Sequence, residues 1–125
     1  TFITKADLKG SVHLVAFFAS WCGPCKKELP AFNDFYLENR DKKLKVLAIG
    51  VDLDREKAMA FVKDMKLEYS VGFDPKAVAM GACAVKGMPT ALLVDAFGII
   101  RARLEGINKE KTQVFLDKAR ALLKP

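Results

Sequence analysis

The chain has 125 residues, 51% of them apolar and 29% charged, with a formal net charge of +6. A chain of this length and composition folds as a single domain, residues 1–125, around a sizeable core without needing disulfide staples, and its three cysteines, an odd number, make no disulfide framework. Its basic residues, among them Lys26 and Lys27, Lys42 and Lys43, Arg101 and Arg103, and Lys109 and Lys111, are interspersed with acidic ones and not with aromatics. That pattern argues against nucleic-acid binding and leaves a modest steering preference for acidic protein partners.

The residues read as alternating strands and helices. Val12–Phe18 is a near-continuous apolar run, the pattern of a strand buried on both faces. A helix is predicted over 23–40, with Leu29, Phe32, Phe35 and Tyr36 at helical spacing and Pro30 expected to kink it. A second buried strand spans 44–51. Asp54 caps a helix over 55–66 whose apolar positions Ala58, Phe61, Val62 and Met65 share one face. A short strand over 69–73 precedes a helix over 75–83, opened by Asp74 and Pro75. Strands over 90–95 and 98–104 are separated by only Ala96 and Phe97 and form a hairpin. A last helix over 108–123, capped by Asn108, directs Val114, Phe115, Ala119 and Leu122 inward. This order predicts an α/β fold: a mixed sheet with helices on both faces and an antiparallel edge.

No apolar run is long enough to cross a membrane; the longest, Leu14–Ala19, belongs to the first strand. No signal peptide is visible, and the opening Thr1 is consistent with removal of an upstream segment.

The chemistry concentrates in Trp21-Cys22-Gly23-Pro24-Cys25, which follows a buried strand and opens a helix. Unpaired N–H groups and the macrodipole at a helix start favour negative charge, which pushes a cysteine there toward thiolate, the form that attacks disulfides. Two intervening residues allow a small disulfide loop, stiffened by Pro24. Cys22 is then the attacking thiol, and Cys25, deeper in the helix, resolves the mixed disulfide. Trp21 flanks the nucleophile with a flat apolar contact. A zinc site would need two further ligands, and only His13 and Cys83 remain. A different function, Cu(I) handling by Cys22 and Cys25 as soft ligands, remains an alternative. A peroxidase ranks last, because the Cys-Gly-Pro-Cys turn does not offer a single isolated nucleophile.

The stretch Phe17-Phe18-Ala19-Ser20-Trp21-Cys22-Gly23-Pro24-Cys25-Lys26-Lys27-Glu28-Leu29-Pro30 resembles the active-site segment of the TlpA/ResA-like branch of the thioredoxin superfamily, and Gly87-Met88-Pro89-Thr90 resembles that fold's cis-proline loop. The resemblance runs from Asp7-Leu8-Lys9-Gly10 to the end. It implies a thioredoxin fold with a TlpA-like helix–strand insert, supplied by the helix at 55–66 and the segment after it. It implies that Pro89 is cis and lies across from Cys22, that the Met88 backbone pairs with an extended substrate, and that Glu28 tunes the cysteine pair. If buried, Glu28 would have a raised pKa and exchange protons with Cys25. The buried aspartate of plain thioredoxins is replaced by Ala16, which makes Glu28 more necessary.

The resemblance further implies reduction of protein disulfides, with cytochrome c maturation as one such process, and an upstream thiol as electron donor. It implies no cofactor beyond the Cys22–Cys25 disulfide. The expected setting is extracytoplasmic, with a possible membrane anchor outside this sequence and a monomeric state; a cytoplasmic location is the alternative. Cys83 reads as a buried free cysteine, His13 as structural, and Asp52 and Asp54 as turn and capping residues.

Overall fold

The computed structural model describes residues 10–74, 76, 78–106 and 108–124. The expectations placed on Asp7, Leu8, Lys9 and Pro75 fall outside these residues. In chain order the elements are β1 (Val12–Phe18), α1 (Cys25–Asn39), β2 (Leu44–Gly50), α2 (Arg55–Lys63), β3 (Ser70–Phe73), α3 (Val78–Ala82), β4 (Thr90–Val94), β5 (Ile100–Glu105) and α4 (Lys109–Leu123).

Among the described residues the strands form one five-stranded sheet, ordered β3-β2-β1-β4-β5. β1 runs parallel to β2 and β2 to β3, while β4 is antiparallel to both β1 and β5. The central β1 is buried along its whole length, as its unbroken apolar run requires.

Alternation along β1 divides the core in two. Leu14, Ala16 and Phe18 face one layer with Leu29, Phe32 and Phe35 of α1, Ala58 of α2, and Phe115, Leu116 and Ala119 of α4. Val15 and Phe17 face the other with Leu92 and Val94, covered by Ala79, Met80 and Val85 around α3. Helices therefore cover both faces, with α1, α2 and α4 on one and α3 on the other.

Local chemistry sets most boundaries. The Asp54 carboxylate accepts the N–H groups of Glu56 and Lys57 at the start of α2, and Asn108 Oδ1 accepts that of Lys111 at the start of α4. α1 runs on through Pro30.

Several expectations need correction. Helix α1 starts at Cys25 rather than Gly23, because two tight turns come first: Cys22 N–H donates to Ala19 O, and Cys25 N–H to Cys22 O. α2 ends at Lys63, with Lys66 at φ 51° leading out of it. α3 is confined to Val78–Ala82, although Asp74 still caps it by accepting the N–H groups of Val78 and Met80. Val114 is not inward: it is 57% exposed, because the buried stripe of α4 runs through Phe115, Leu116 and Ala119 and leaves the preceding position about 100° around the helix. Cys83 is half-buried rather than fully enclosed.

Candidate active site

The C-terminal ends of β1 and β2 and the N-terminal end of β4 converge on one pole of the sheet, since Phe17 pairs with Thr90 and Phe18 with Gly50. The chain leaves β1 through Ala19–Trp21, reaches the cysteines and enters α1. Cys22 and Cys25 form a disulfide with their Cα atoms 5.5 Å apart. Cys22 is 5% exposed and Cys25 fully buried, so the first cysteine is the outer one. Trp21 beside them is 72% exposed.

No side chain caps α1. The N–H groups of Cys25, Lys26 and Lys27 donate to the carbonyls of Cys22, Gly23 and Pro24. Those N–H groups are therefore occupied rather than free for the Cys22 sulfur. What the helix start offers a thiolate in this arrangement is the macrodipole.

Glu28 lies one turn into α1 from Cys25. It is only 3% exposed, and its Oε2 has no hydrogen-bond partner. Burial pushes its carboxyl up from an ordinary 4.5 to about 7. Tyr69 stands close by. Its hydroxyl donates to Leu29 O at 2.9 Å, and burial, with Glu28 next in effect, pushes its phenol up. Ala16, where an aspartate would stand in plain thioredoxins, pairs with Ala48 and Ala91 and is fully buried.

The Met88–Pro89 peptide bond is cis. Its loop is tied at both ends: Thr90 Oγ1 donates to Gly87 O at 2.7 Å, and Gly106 N–H donates to Pro89 O at 2.9 Å. A cleft of about 490 Å³ follows this loop, lined among others by Lys86, Met88, Pro89, Arg103 and Gly106.

The structure thus gathers Trp21, Cys22, Gly23, Pro24, Cys25 and Glu28 at one pole and brings the Met88–Pro89 loop to the same end of the sheet. His13 stays apart: it is buried near the start of β1, and its Nδ1 bonds with Ser11 O at 3.1 Å. The Cys83 thiol is raised, chiefly by burial.

Sequence reasoning missed three supporting contacts. Asp52 holds Ser20, through its N–H at 2.8 Å and its hydroxyl. Tyr69 ties β3 to α1. Arg103 donates to the carbonyls of Cys83 and Ala84 at the end of α3. Among the described residues no group of three or more His, Cys, Asp or Glu side chains is placed to hold a metal ion.

A dithiol–disulfide pair at a helix start, a buried acid one turn along and a cis-proline loop at the same pole define a thioredoxin-fold thiol–disulfide oxidoreductase. The AhpC/TSA family model matches residues 1–103. The thiol–disulfide oxidoreductase ResA of a Bacillus cereus strain is 31% identical over 117 residues, covering 93% of this chain and 68% of that protein. A candidate DsbE thiol:disulfide interchange protein from Chlorobium tepidum superposes with a TM-score of 0.90 at 33% identity, over 95% of this chain and 84% of the other. StoA from Bacillus subtilis does so with a TM-score of 0.72 at 28% identity, over 86% and 83%. The chain belongs to the AhpC/TSA family of the thioredoxin superfamily, on its TlpA/ResA-like branch, and is a thiol–disulfide oxidoreductase acting on protein thiols. The Cu(I) alternative finds no support among these relatives.

Proposed function

We propose that the enzyme works in the reducing direction, with Cys22 as nucleophile and Cys25 as resolving thiol. The observation that supports this most directly is the outer-and-inner arrangement of the two cysteines above a buried, unpartnered Glu28. The Cys22 thiolate attacks a substrate disulfide, forming a mixed disulfide and expelling one substrate thiolate. Cys25 passes its proton to the Glu28 carboxylate and attacks Cys22 Sγ. The second substrate thiolate leaves, and the dithiol's two electrons have reduced the substrate. An upstream thiol donor restores the pair, which is itself the redox centre and calls for no further cofactor.

In this reading Gly23 and Pro24 shape the active-site loop, Trp21 presents an apolar face to the substrate, and Met88 and Pro89 align an extended substrate segment. The likeness to the TlpA/ResA branch supports an extracytoplasmic setting, with cytochrome c maturation or general redox homeostasis as the process, and a monomer as the working unit. No described helix is long and apolar enough to cross a membrane.

Two measurements test the proposal. Cys22→Ser abolishes disulfide reduction, whereas Cys25→Ser accumulates a covalent complex with the substrate; activity that survives Cys22→Ser removes the assignment. Equilibration in thiol/disulfide buffers gives a reduction potential near that of thioredoxin, about −270 mV, for a reductase. A value near that of DsbA, about −120 mV, reverses the direction.

A further inference from the structure

The pole of the sheet opposite the cysteines has its own chemistry. β1 and β2 start there and the β4–β5 hairpin turns there. Val12 N–H donates to Lys43 O at 2.8 Å and Gly10 N–H to Ala96 O at 2.8 Å, so these loops are tied together. At the hairpin tip Phe97 is 79% exposed, Ile99 58% and Ile100 49%.

The tip is fixed from beneath. The buried Asp95 carboxylate accepts the N–H groups of Phe97 at 2.9 Å and Ile99 at 3.0 Å, and takes the Arg101 guanidinium at 3.1 Å. Asp95 N–H donates to Ile99 O at 2.9 Å, and Gly98 supplies the positive φ of 85° that the turn requires. Three bulky apolar side chains are therefore held outward by an ordered turn.

Beside them Arg40, Lys42, Lys43 and Lys45 are exposed. In the described segment 40–45 the exposed Asp41 stands against four cations, and at the base of the hairpin Asp95 is matched by Arg101.

We propose that this pole docks on an anionic lipid bilayer, with Phe97 and Ile99 entering the headgroup boundary and the cations around Lys42 and Lys43 facing lipid phosphates. Bulky apolar side chains ringed by Lys and Arg are the chemistry of interfacial membrane binding. Two other occupants fit less well. A second copy seated on the same pole by two-fold symmetry brings these cations against themselves. A narrow tip also offers far less than the roughly 800 Å² per partner of a stable protein interface. The docked enzyme presents Cys22 away from the bilayer, beyond the length of β1, about 23 Å for seven strand residues. This inference does not depend on the direction of the thiol chemistry.

Flotation of the whole chain with vesicles tests it. Binding is expected to phosphatidylglycerol–phosphatidylcholine vesicles and not to phosphatidylcholine alone, and it weakens as salt is raised. The double variant Lys42→Glu/Lys43→Glu weakens it at least about tenfold. Phe97→Ser/Ile99→Ser weakens it comparably, and both variants keep full disulfide exchange with a soluble substrate. Equal binding to neutral vesicles, no binding to either, or indifference to both variants overturns the proposal. So does a lipid-free dimer that Phe97→Ser/Ile99→Ser dissolves.

Discussion

Ser20 gives both its backbone N–H and its hydroxyl to the carboxylate of Asp52, 32 residues further along the chain. The contact joins the loop after β2 to the bend that carries Trp21 and Cys22. Asp52 is buried, so its loss leaves the Ser20 N–H without its acceptor. Asp52→Ala is expected to lower stability by about 1–3 kcal/mol and Asp52→Asn by less, because the amide oxygen still accepts one bond. Thermal unfolding measures this. Alkylation of the reduced protein measures whether Cys22 reactivity moves with it, as a positioning role for Asp52 requires.

Glu28 sets a pH dependence whose sign is fixed. Its folded pKa of about 7 lies above its ordinary 4.5. Between those values the native state keeps a proton that the unfolded chain has released, so stability falls as pH rises through this window and levels off above it. Glu28→Gln abolishes the slope. Above pH 7 that variant is expected to be more stable than the parent, by at most about 3 kcal/mol at 1.36 kcal/mol per pKa unit. Denaturant titration of the oxidised protein checks this without interference from thiol titration. A slope unchanged in Glu28→Gln assigns it to another group.

Ala84 occupies a glycine's place. α3 ends with Val85 N–H on Met80 O and Ala84 N–H on Gly81 O, the paired bonds of a Schellman cap, with Ala84 at φ 54°. Ala84→Gly relieves the Cβ crowding of a left-handed backbone and is expected to stabilise by about 0.5–1 kcal/mol, offset in part by the freer unfolded chain. Calorimetry decides: a lower melting temperature rejects the idea.

Gly50 presents the opposite case. A Cβ there would sit 2.8 Å from Cζ of Phe18, whose buried ring stacks on Phe61 at 5.7 Å between centroids. Gly50→Ala is expected to cost about 1–3 kcal/mol by overpacking. The displaced ring belongs to the last residue of β1, so the variant is also expected to slow disulfide exchange, read in an insulin reduction assay.

What was legible in the sequence follows from the range of each interaction. The burial of Val12–Phe18 and the caps at Asp54 and Asn108 are local patterns found where expected; the hairpin is found too, but residues 95–99 rather than Ala96 and Phe97 alone separate its strands, because Asp95 and Ile99 close the turn. The resemblance supplied the cis bond at Pro89, since no local rule distinguishes it from a trans proline at a strand start. Glu28 was ambiguous, because helical spacing alone allows a solvated glutamate beside Lys26 and Lys27. The bonds from Asp52 to Ser20, Tyr69 to Leu29 and Arg103 to the end of α3 join residues about 20 to 40 apart. Nothing in the nearby sequence marks them, because they exist only once the sheet has assembled. The start of α1 shifted for a related reason: a turn closed by the Cys25 N–H to Cys22 O bond replaces the expected first helical residues at Gly23 and Pro24.

Ala16, Ala48 and Ala91 stand side by side across three strands, so the row of the sheet where plain thioredoxins carry an aspartate offers only methyl groups to the layer that holds Cys25. The inner sulfur and the buried acid instead share one turn of α1, three residues or about 4.5 Å of rise apart. Their spacing is written into the pitch of a helix and does not depend on how that helix seats on the strands below. The acid therefore reaches the cysteine pair along the helix, and what the core below contributes is the burial that raises it.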